Sequence, residues 1–154
     1  MTVMNVELDD RGLVMACPHC GQRNRLVYER LGQIFRCGKC RAELRAPGEP
    51  IELKNEAPFD AFTGRSALPV LVEFWAPWCG PCKMVAPELV KVATEGRDRW
   101  LVAKVNTEDL SGLAQRFRVN SIPAFVLLKR GREVARAAGA MAAPRIRQFI
   151  EQTK

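Results

Sequence analysis

Several features are missing from this 154-residue sequence, and each absence narrows its class. No apolar run approaches the roughly 18 residues that a membrane-spanning helix needs. The first residues, MTVMNVELDD, contain neither a basic flank nor an apolar stretch, so we expect no secretory signal and no membrane partner. We therefore expect a cytoplasmic protein, in a compartment where thiols are kept reduced. The sequence contains a single histidine, His19.

The residue pattern changes along the chain and predicts two parts. The stretch RAPGEP (45–50) contains two prolines and a glycine, which suit a short hinge better than a helix or strand. We predict an N-terminal module with a short leading tail at 1–45, a linker at 46–50 and a second domain at 51–154.

The second part predicts an α/β domain. PVLVEFWA (69–76) and WLVAKVN (100–106) are candidates for buried strands, and residues 122–139 predict a strand, a turn and a second strand. We also predict an edge strand at 51–53 and a brief helix at 58–65. A helix is predicted at 79–96, a short one near 108–116 and a closing amphipathic helix at 144–153. This order predicts a sheet with both parallel and hairpin connections.

All six cysteines lie in three Cys-x-x-Cys pairs, CPHC, CGKC and CGPC. In a reducing compartment such pairs indicate metal binding or catalysis rather than a disulfide framework. The first two pairs are sixteen residues apart, which matches the spacing of zinc sites with four cysteine ligands. A module this small buries too little apolar surface to fold alone, and structural Zn²⁺ supplies the missing stability. We predict one structural Zn²⁺ ion, bound by Cys17, Cys20, Cys37 and Cys40.

We expect the residues between these two pairs to form one hairpin that brings the two turns face to face. The sequence predicts no strand running into CPHC and no helix after it, which argues against a redox role for that pair. Two alternatives stay open, namely a disulfide pair and a ligand role for His19. Tyr28 and Phe35 are expected to form the hairpin's own small core rather than a surface for stacking bases.

The net charge of +7 is spread along the chain. Residues 1–48 contribute a formal +3 and the remaining residues +4. Four thiolates on one Zn²⁺ would lower the first value to about +1. Neither part is then a strong site for polyanions, and we expect no nucleic-acid partner.

The third pair, Cys79 and Cys82, lies where the predicted buried strand ends and a helix begins. Free backbone N–H groups and the positive end of the helix dipole point at the first thiol of such a junction. We expect this arrangement to lower the pKa of Cys79 and make it a nucleophile. Cys82, one turn into the helix, is expected to be more buried and placed to attack a mixed disulfide.

The residues around this pair resemble a known family. WAPWCGPCK is similar to the active site of thioredoxins, and residues 50–154 resemble a complete thioredoxin domain. The four-cysteine segment resembles the ribbon of the zinc-carrying second thioredoxins of bacteria. The resemblance implies a thioredoxin fold, a central mixed sheet flanked by helices, preceded by a small zinc ribbon. It also implies reduction of protein disulfides, with a thioredoxin reductase to regenerate the dithiol.

The resemblance assigns catalytic roles to two more residues. Glu73 occupies the position of the family's buried aspartate, where burial should raise its pKa so that it accepts a proton from Cys82. The alternative is that Glu73 reaches solvent from the end of a strand. Lys104 matches the family lysine that faces this acid, although a lysine on an apolar strand can also simply extend to solvent.

The resemblance also implies a substrate-binding surface. Pro123 matches the family's cis-proline, which aims the backbone of Ile122 at the substrate. Gly-Pro between the cysteines resembles the reducing members of the family. The positions expected to bind substrate are Trp78, Gly80, Pro81, Ile122, Pro123 and Gly139.

A competing interpretation belongs to a different functional class. In it the ribbon is a binding or targeting module, and its thiolates sense oxidation by releasing zinc. The second domain would then serve as a scaffold. The intact CGPC sequence favours the enzyme over an inert scaffold.

Overall fold

The computed structural model describes residues 5–153 of the chain. Residues 1–4 and 154, which the sequence assigns to the leading tail and to the end of the second domain, lie outside the described residues. Among the helices within this range, none has the length and apolar character needed to cross a membrane.

Two short antiparallel sheets make up the N-terminal part, called the ribbon below (residues 5–45). Their strands are β1 (Glu7–Leu8), β2 (Gly12–Ala16) and β3 (Arg23–Val27) in the first sheet, and β4 (Phe35–Arg36) and β5 (Glu43–Leu44) in the second. A single turn of 3₁₀ helix, Tyr28–Arg30, follows β3.

Each of the first two Cys-x-x-Cys pairs lies in the turn of its own hairpin, so the expected single hairpin between them is wrong. The Cys17 amide donates to the carbonyl five residues later, and Gly21 donates back to the Cys17 carbonyl, both at 2.8 Å. Cys37 and Arg41 repeat this pattern in the second hairpin, at 2.9 and 3.1 Å. Both turns therefore aim their cysteine side chains in the same way.

Strand β2 runs directly into Cys17, so the prediction that no strand precedes CPHC is also wrong. Its sequence, GLVMA, lacks the alternation typical of a half-exposed strand. The reason is burial, because Leu13 and Met15 lie in the core and Val14 between them is half-buried.

Helices and strands alternate through the second part. In chain order these are β6 (Ile51–Glu52), α1 (Phe59–Arg65), β7 (Val70–Trp75), α2 (Gly80–Glu95), β8 (Leu101–Asn106), α3 (Ser111–Arg116), β9 (Ala124–Lys129), β10 (Arg132–Ala138) and α4 (Ala143–Gln152). The five strands form one sheet in the order β10-β9-β7-β8-β6. β6, β7 and β8 are parallel, whereas β9 is antiparallel to β7 and β10 to β9. The predicted α/β class and mixed sheet are confirmed.

The side-chain alternation of β7 assigns each residue to one face of the sheet. Val70, Val72 and Phe74 pack in the same core as α1, α3 and the ribbon. Leu71 packs on the other face, against α2 and α4. Glu73 therefore points towards the face that carries α2.

The ribbon packs on the second part instead of enclosing its own core, which corrects the expectation for Tyr28. The fully buried Tyr28 ring lies 5.6 Å from the ring of Phe62 in α1. Ala67 donates a backbone hydrogen bond to the Tyr28 carbonyl at 3.0 Å, and Arg65 forms an ion pair with Glu29 at 2.7 Å. A module of this size has little interior of its own, so its aromatic residue completes the core of its neighbour.

Residues 46–50 form neither a helix nor a strand. Ala46 is fully buried, and its carbonyl accepts a hydrogen bond from Arg97 Nε at 3.0 Å. The Gly48 carbonyl accepts from Thr94 Oγ1, also at 3.0 Å. The segment is thus held against α2 and the loop that follows it, while the predicted domain limits stay a prediction.

Candidate active site and metal centre

Cys79 and Cys82 lie at the junction of β7 and α2. Cys79 is the N-cap residue of α2, and its Sγ accepts a hydrogen bond from the Cys82 amide at 3.2 Å. The two cysteines form a disulfide, with their Cα atoms 5.3 Å apart. A sulfur at this position meets the unpaired N–H groups of the first helical turn, which stabilise negative charge on it.

The two cysteines are equally buried, with 4% of each residue exposed, so the expectation of a more buried Cys82 is wrong for this state. The disulfide turns both sulfurs into one small cluster, in which they pack with Ala76, Trp75 and Ile122. The disulfide bond holds Cys79 Sγ against Cys82 Sγ, so neither sulfur projects into solvent in this state.

The loop before β9 covers this disulfide. Its Ile122–Pro123 peptide bond is cis, as the resemblance implied. The Ile122 carbonyl oxygen lies 3.8 Å from Cys79 Sγ. Gly139, at the end of β10, has φ of 95° and donates its amide to the Pro123 carbonyl at 2.9 Å. The structure therefore places Ile122 beside the first cysteine and joins Gly139 to the neighbouring Pro123.

Glu73 lies in the middle of β7 and is fully buried. Within the described part of the chain, neither of its carboxylate oxygens has a hydrogen-bond partner. Burial raises the pKa of Glu73 to about 7, although the nearby Lys104 acts in the opposite direction. A carboxyl group with this pKa can accept and release a proton near neutral pH. It does not reach solvent from a strand end, as the alternative required.

Lys104 lies between two acidic residues in the sheet. It is paired in register with Glu73 on β7 and with Glu52 on β6. Its Nζ lies 4.9 Å from the centre of the Trp75 ring, and Trp75 Nε1 donates to Glu52 Oε2 at 3.2 Å. Burial raises the pKa of Glu52, so a second acid belongs to this network. Sequence reasoning missed Glu52, whose only signal was its position in a short edge strand.

Trp78 presents a large apolar surface beside the disulfide, with 68% of the residue exposed. Its Nε1 donates to Glu108 Oε1 at 2.6 Å, which fixes the orientation of the ring. Gly80 and Pro81 begin α2, where the missing amide of proline costs little. Glu108 was also missed, because no local pattern links it to a residue thirty positions away.

The other four cysteines form one cluster in the ribbon. Their Sγ atoms all lie within 4.8 Å of one another, and two pairs, Cys17–Cys40 and Cys20–Cys37, are 3.6 Å apart. Sulfurs bound at about 2.3 Å to a tetrahedral metal ion would lie about 3.8 Å apart, whereas a disulfide requires about 2 Å. All four are free thiols, so the donor set fits a metal ion.

His19 is not a member of this cluster of described residues. Its backbone amide instead donates to Cys17 Sγ at 3.4 Å. Lys39 makes the equivalent hydrogen bond to Cys37 Sγ, also at 3.4 Å. The first cysteine of each turn is thus stabilised by the amide two residues later.

Comparison with known proteins agrees with this geometry. Residues 50–152 match the family model described as thioredoxin. Thioredoxin C-3 of Corynebacterium nephridii is 42% identical over 140 residues, which cover 91% of this chain and 94% of that protein. The chain belongs to the thioredoxin family. Its members act as protein-disulfide reductases, and so this thioredoxin is an enzyme of that class.

The ribbon of this thioredoxin also has relatives. Residues 16–42 match the model described as thioredoxin 2, N-terminal, which identifies the segment as a zinc-ribbon module. A bifunctional thioredoxin reductase/thioredoxin of Mycobacterium leprae is 46% identical over 93 residues, covering 60% of this chain and 20% of that protein. The solved structure of a mutant thioredoxin from Halobacterium salinarum superposes with a TM-score of 0.65 at 29% identity, covering 71% of this chain and 95% of that one.

Proposed function

We propose that Cys79 is the attacking thiol and Cys82 the resolving thiol of this thioredoxin. The observation that carries the proposal is the position of Cys79 Sγ, which caps α2, accepts the Cys82 amide and is bonded to Cys82. Residues three apart at a helix start can form and break this bond without moving the backbone far. The pair can therefore alternate between dithiol and disulfide.

The reaction has two balanced steps. The Cys79 thiolate attacks one sulfur of a substrate disulfide, forming a mixed disulfide and releasing the other substrate sulfur as a thiolate. Cys82 then loses its proton and attacks Cys79 Sγ, which forms the Cys79–Cys82 disulfide and releases the second substrate thiolate. Two electrons pass to the substrate, and the enzyme is left oxidised.

We assign Glu73 as the acceptor of the Cys82 proton. Its side chain points to the face that carries α2, between Leu71 and Trp75, and Trp75 packs in the same cluster as Cys82. With a pKa of about 7, both the carboxylate and the carboxylic acid forms of Glu73 are populated at neutral pH, so the group can accept a proton and release it again. Lys104, in register with Glu73, favours the ionised form that accepts the proton.

We assign substrate docking to the surface around Cys79. Trp78 offers the apolar area, and the backbone of Ile122 lies close enough to Cys79 to pair with an extended substrate segment. Gly139 leaves space for that segment, because no atom lies within 4 Å of where its Cβ would be. Gly80 and Pro81 complete the rim at the start of α2.

We infer that the ribbon metal is Zn²⁺. Four thiolates from two Cys-x-x-Cys turns are the ligands that structural zinc sites use, and the spacing of the sulfurs supports this choice. Zn²⁺ held by four thiolates has no open position, so it supplies stability and no Lewis-acid chemistry. Because such thiols must stay reduced to bind a metal, we place the protein in the cytoplasm.

A thioredoxin needs a reductant that restores the dithiol. The name of the Mycobacterium leprae relative joins a thioredoxin reductase and a thioredoxin in one chain. We infer that a separate thioredoxin reductase reduces the Cys79–Cys82 disulfide of this protein.

The test compares serine variants of the two active-site cysteines in the reduction of insulin disulfides by dithiothreitol. Cys79→Ser should abolish catalysis without forming an adduct. Cys82→Ser should also lose turnover. When the reduced variant is freed of dithiothreitol, which would cleave the adduct, and then mixed with insulin, it should accumulate a mixed disulfide that is visible by mass spectrometry. Glu151→Gln, on the exposed end of α4, should behave as the wild type. An adduct that formed with Cys79→Ser instead would reverse the two roles.

A further inference from the structure

Asn24 connects the two Cys-x-x-Cys turns of the ribbon. It lies on β3, which follows the first turn, and its side chain reaches the second turn. Asn24 Oδ1 accepts the Gly38 amide at 2.9 Å, and Nδ2 donates to Cys37 Sγ at 3.5 Å. The second hydrogen of Nδ2 goes to the Gln22 carbonyl at 2.9 Å. The carboxamide thus has a partner for the oxygen and for both N–H groups.

The two turns differ in the hydrogen bonds that the sulfur of their first cysteine accepts. Cys17 and Cys37 each receive a backbone amide from two residues later, His19 and Lys39 respectively. Among the described residues, and apart from the contacts of the four cysteines with one another, Cys37 but not Cys17 also receives a hydrogen bond from a side chain, that of Asn24. An extra N–H donor stabilises a thiolate, because a hydrogen bond to an ionised acceptor is stronger than one to a neutral acceptor.

We propose that Asn24 is a positioning residue of the metal centre, which holds Cys37 Sγ and the second turn in the geometry that the ion requires. The inference rests on the proposed four-thiolate Zn²⁺ site. Groups that hydrogen-bond to metal ligands typically change the metal affinity 10–100-fold when they are removed. Asn24 is suited to this role because one planar amide spans both turns, with a donor for the ligand and an acceptor for the backbone beside it.

Two substitutions separate donation to sulfur from the connection between the turns. Asn24→Ala removes both. Asn24→Asp keeps an oxygen for the Gly38 amide but replaces the donor with a second oxygen, which faces the Cys37 thiolate. If donation to sulfur matters, Asn24→Asp should bind the metal at least as weakly as Asn24→Ala. Gln22→Ala is the matched control, since it also truncates an amide of this turn, and that amide donates to the Arg23 carbonyl.

The experiment uses the full chain, with the affinity for Zn²⁺ measured by competition with a chromophoric chelator. Asn24→Ala should bind about 10-fold to 100-fold more weakly than the wild type, and Gln22→Ala within about threefold of it. With Co²⁺ in the site, loss of the hydrogen bond should shift the sulfur-to-metal charge-transfer band of Asn24→Ala to longer wavelength. Gln22→Ala should leave this band in place. Circular dichroism and insulin reduction report whether each variant is folded.

Three results would overturn the proposal. An affinity of Asn24→Ala within about threefold of the wild type, with an unshifted Co²⁺ band, would remove Asn24 from the centre while leaving the centre itself intact. An Asn24→Asp variant with full affinity would show that donation to sulfur is irrelevant. A wild-type chain that bound neither ion would overturn both this inference and the proposed metal site, without affecting the assignment of Cys79 and Cys82.

Discussion

Replacing Glu73 by glutamine should stabilise the protein at pH 8.5 and leave its stability almost unchanged at pH 4. The Glu73 pKa is about 7 in the folded chain, against an ordinary value of 4.5, because the carboxyl group is buried. Below pH 4.5 the group is neutral in both the folded and the unfolded states, so burial of a charge costs nothing. Between pH 4.5 and about 7 the unfolded chain ionises first, and the free energy of unfolding falls. Above pH 7 the full penalty is present.

The difference between the two pKa values corresponds to about 3 kcal/mol. Glutamine resembles the protonated acid in size and polarity, so Glu73→Gln avoids this penalty at every pH. Guanidinium unfolding of the oxidised protein at pH 4 and pH 8.5 should therefore show the variant about 3 kcal/mol more stable at the higher pH only. Glu151→Gln, an exposed control, should differ from the wild type by less than about 0.5 kcal/mol at both pH values. If Glu73→Gln and the wild type lost stability in parallel between pH 4 and 8.5, the buried carboxyl would not carry a raised pKa.

Three further predictions concern the ribbon and the docking surface. Removing the metal with a chelator should lower the melting temperature of the whole chain by more than about 5 °C, because the ribbon shares a core with the second part; an unchanged melting curve would contradict this. Phe62→Ala should cost about 3–5 kcal/mol in a single guanidinium transition, since Phe62 packs on Tyr28 across the boundary, whereas two separate transitions would show independent units. Trp78→Ala should lower kcat/KM for insulin reduction by at least about fivefold, with a stability change below about 0.5 kcal/mol because the ring is exposed. Equal kcat/KM values would remove Trp78 from the docking surface.

The division of the six cysteines was predictable from the spacing of the first two pairs and from the sequence that surrounds the third. Two pairs sixteen residues apart predicted a cluster, and the structure brings all four of those sulfurs together. A pair between an apolar run and a segment with helical spacing predicted the strand–helix junction, where the structure places Cys79 as the N-cap residue of α2. The central strands of the sheet were also predictable, since a nearly continuous apolar, β-branched and aromatic run such as VLVEFW is typical of a strand covered on both faces.

The contacts that sequence reasoning missed join residues far apart in the chain. Trp75 donates a hydrogen bond to Glu52, 23 positions away in the sequence, and Trp78 donates one to Glu108, 30 positions away. Periodicity states which face a residue occupies, but it does not state which partner lies opposite. Tyr28 illustrates the same limit, because an aromatic residue in a small module can complete its own core or that of a neighbour. Which core Tyr28 joins depends on the position of α1, and the sequence of the ribbon contains no information about that position.

The position of the ribbon limits how it can influence catalysis. Its hydrogen bonds and ion pairs with the second part end on Arg65, Ala67 and Asp98, all of which precede the parallel strands β7 and β8. Cys79 follows the opposite end of β7, about 16 Å away along a strand of six residues. Strands β7 and β8 between them are almost entirely buried and share one core with the ribbon, so we expect loss of the metal to act through unfolding of the whole chain. Loss of the metal should therefore reduce the fraction of folded enzyme, while each molecule that stays folded keeps the activity of the metal-bound protein. The folded fraction during chelation, measured by circular dichroism and compared with the activity that remains, would separate this effect from a direct change at the active site, because activity that fell faster than the folded fraction would contradict the prediction.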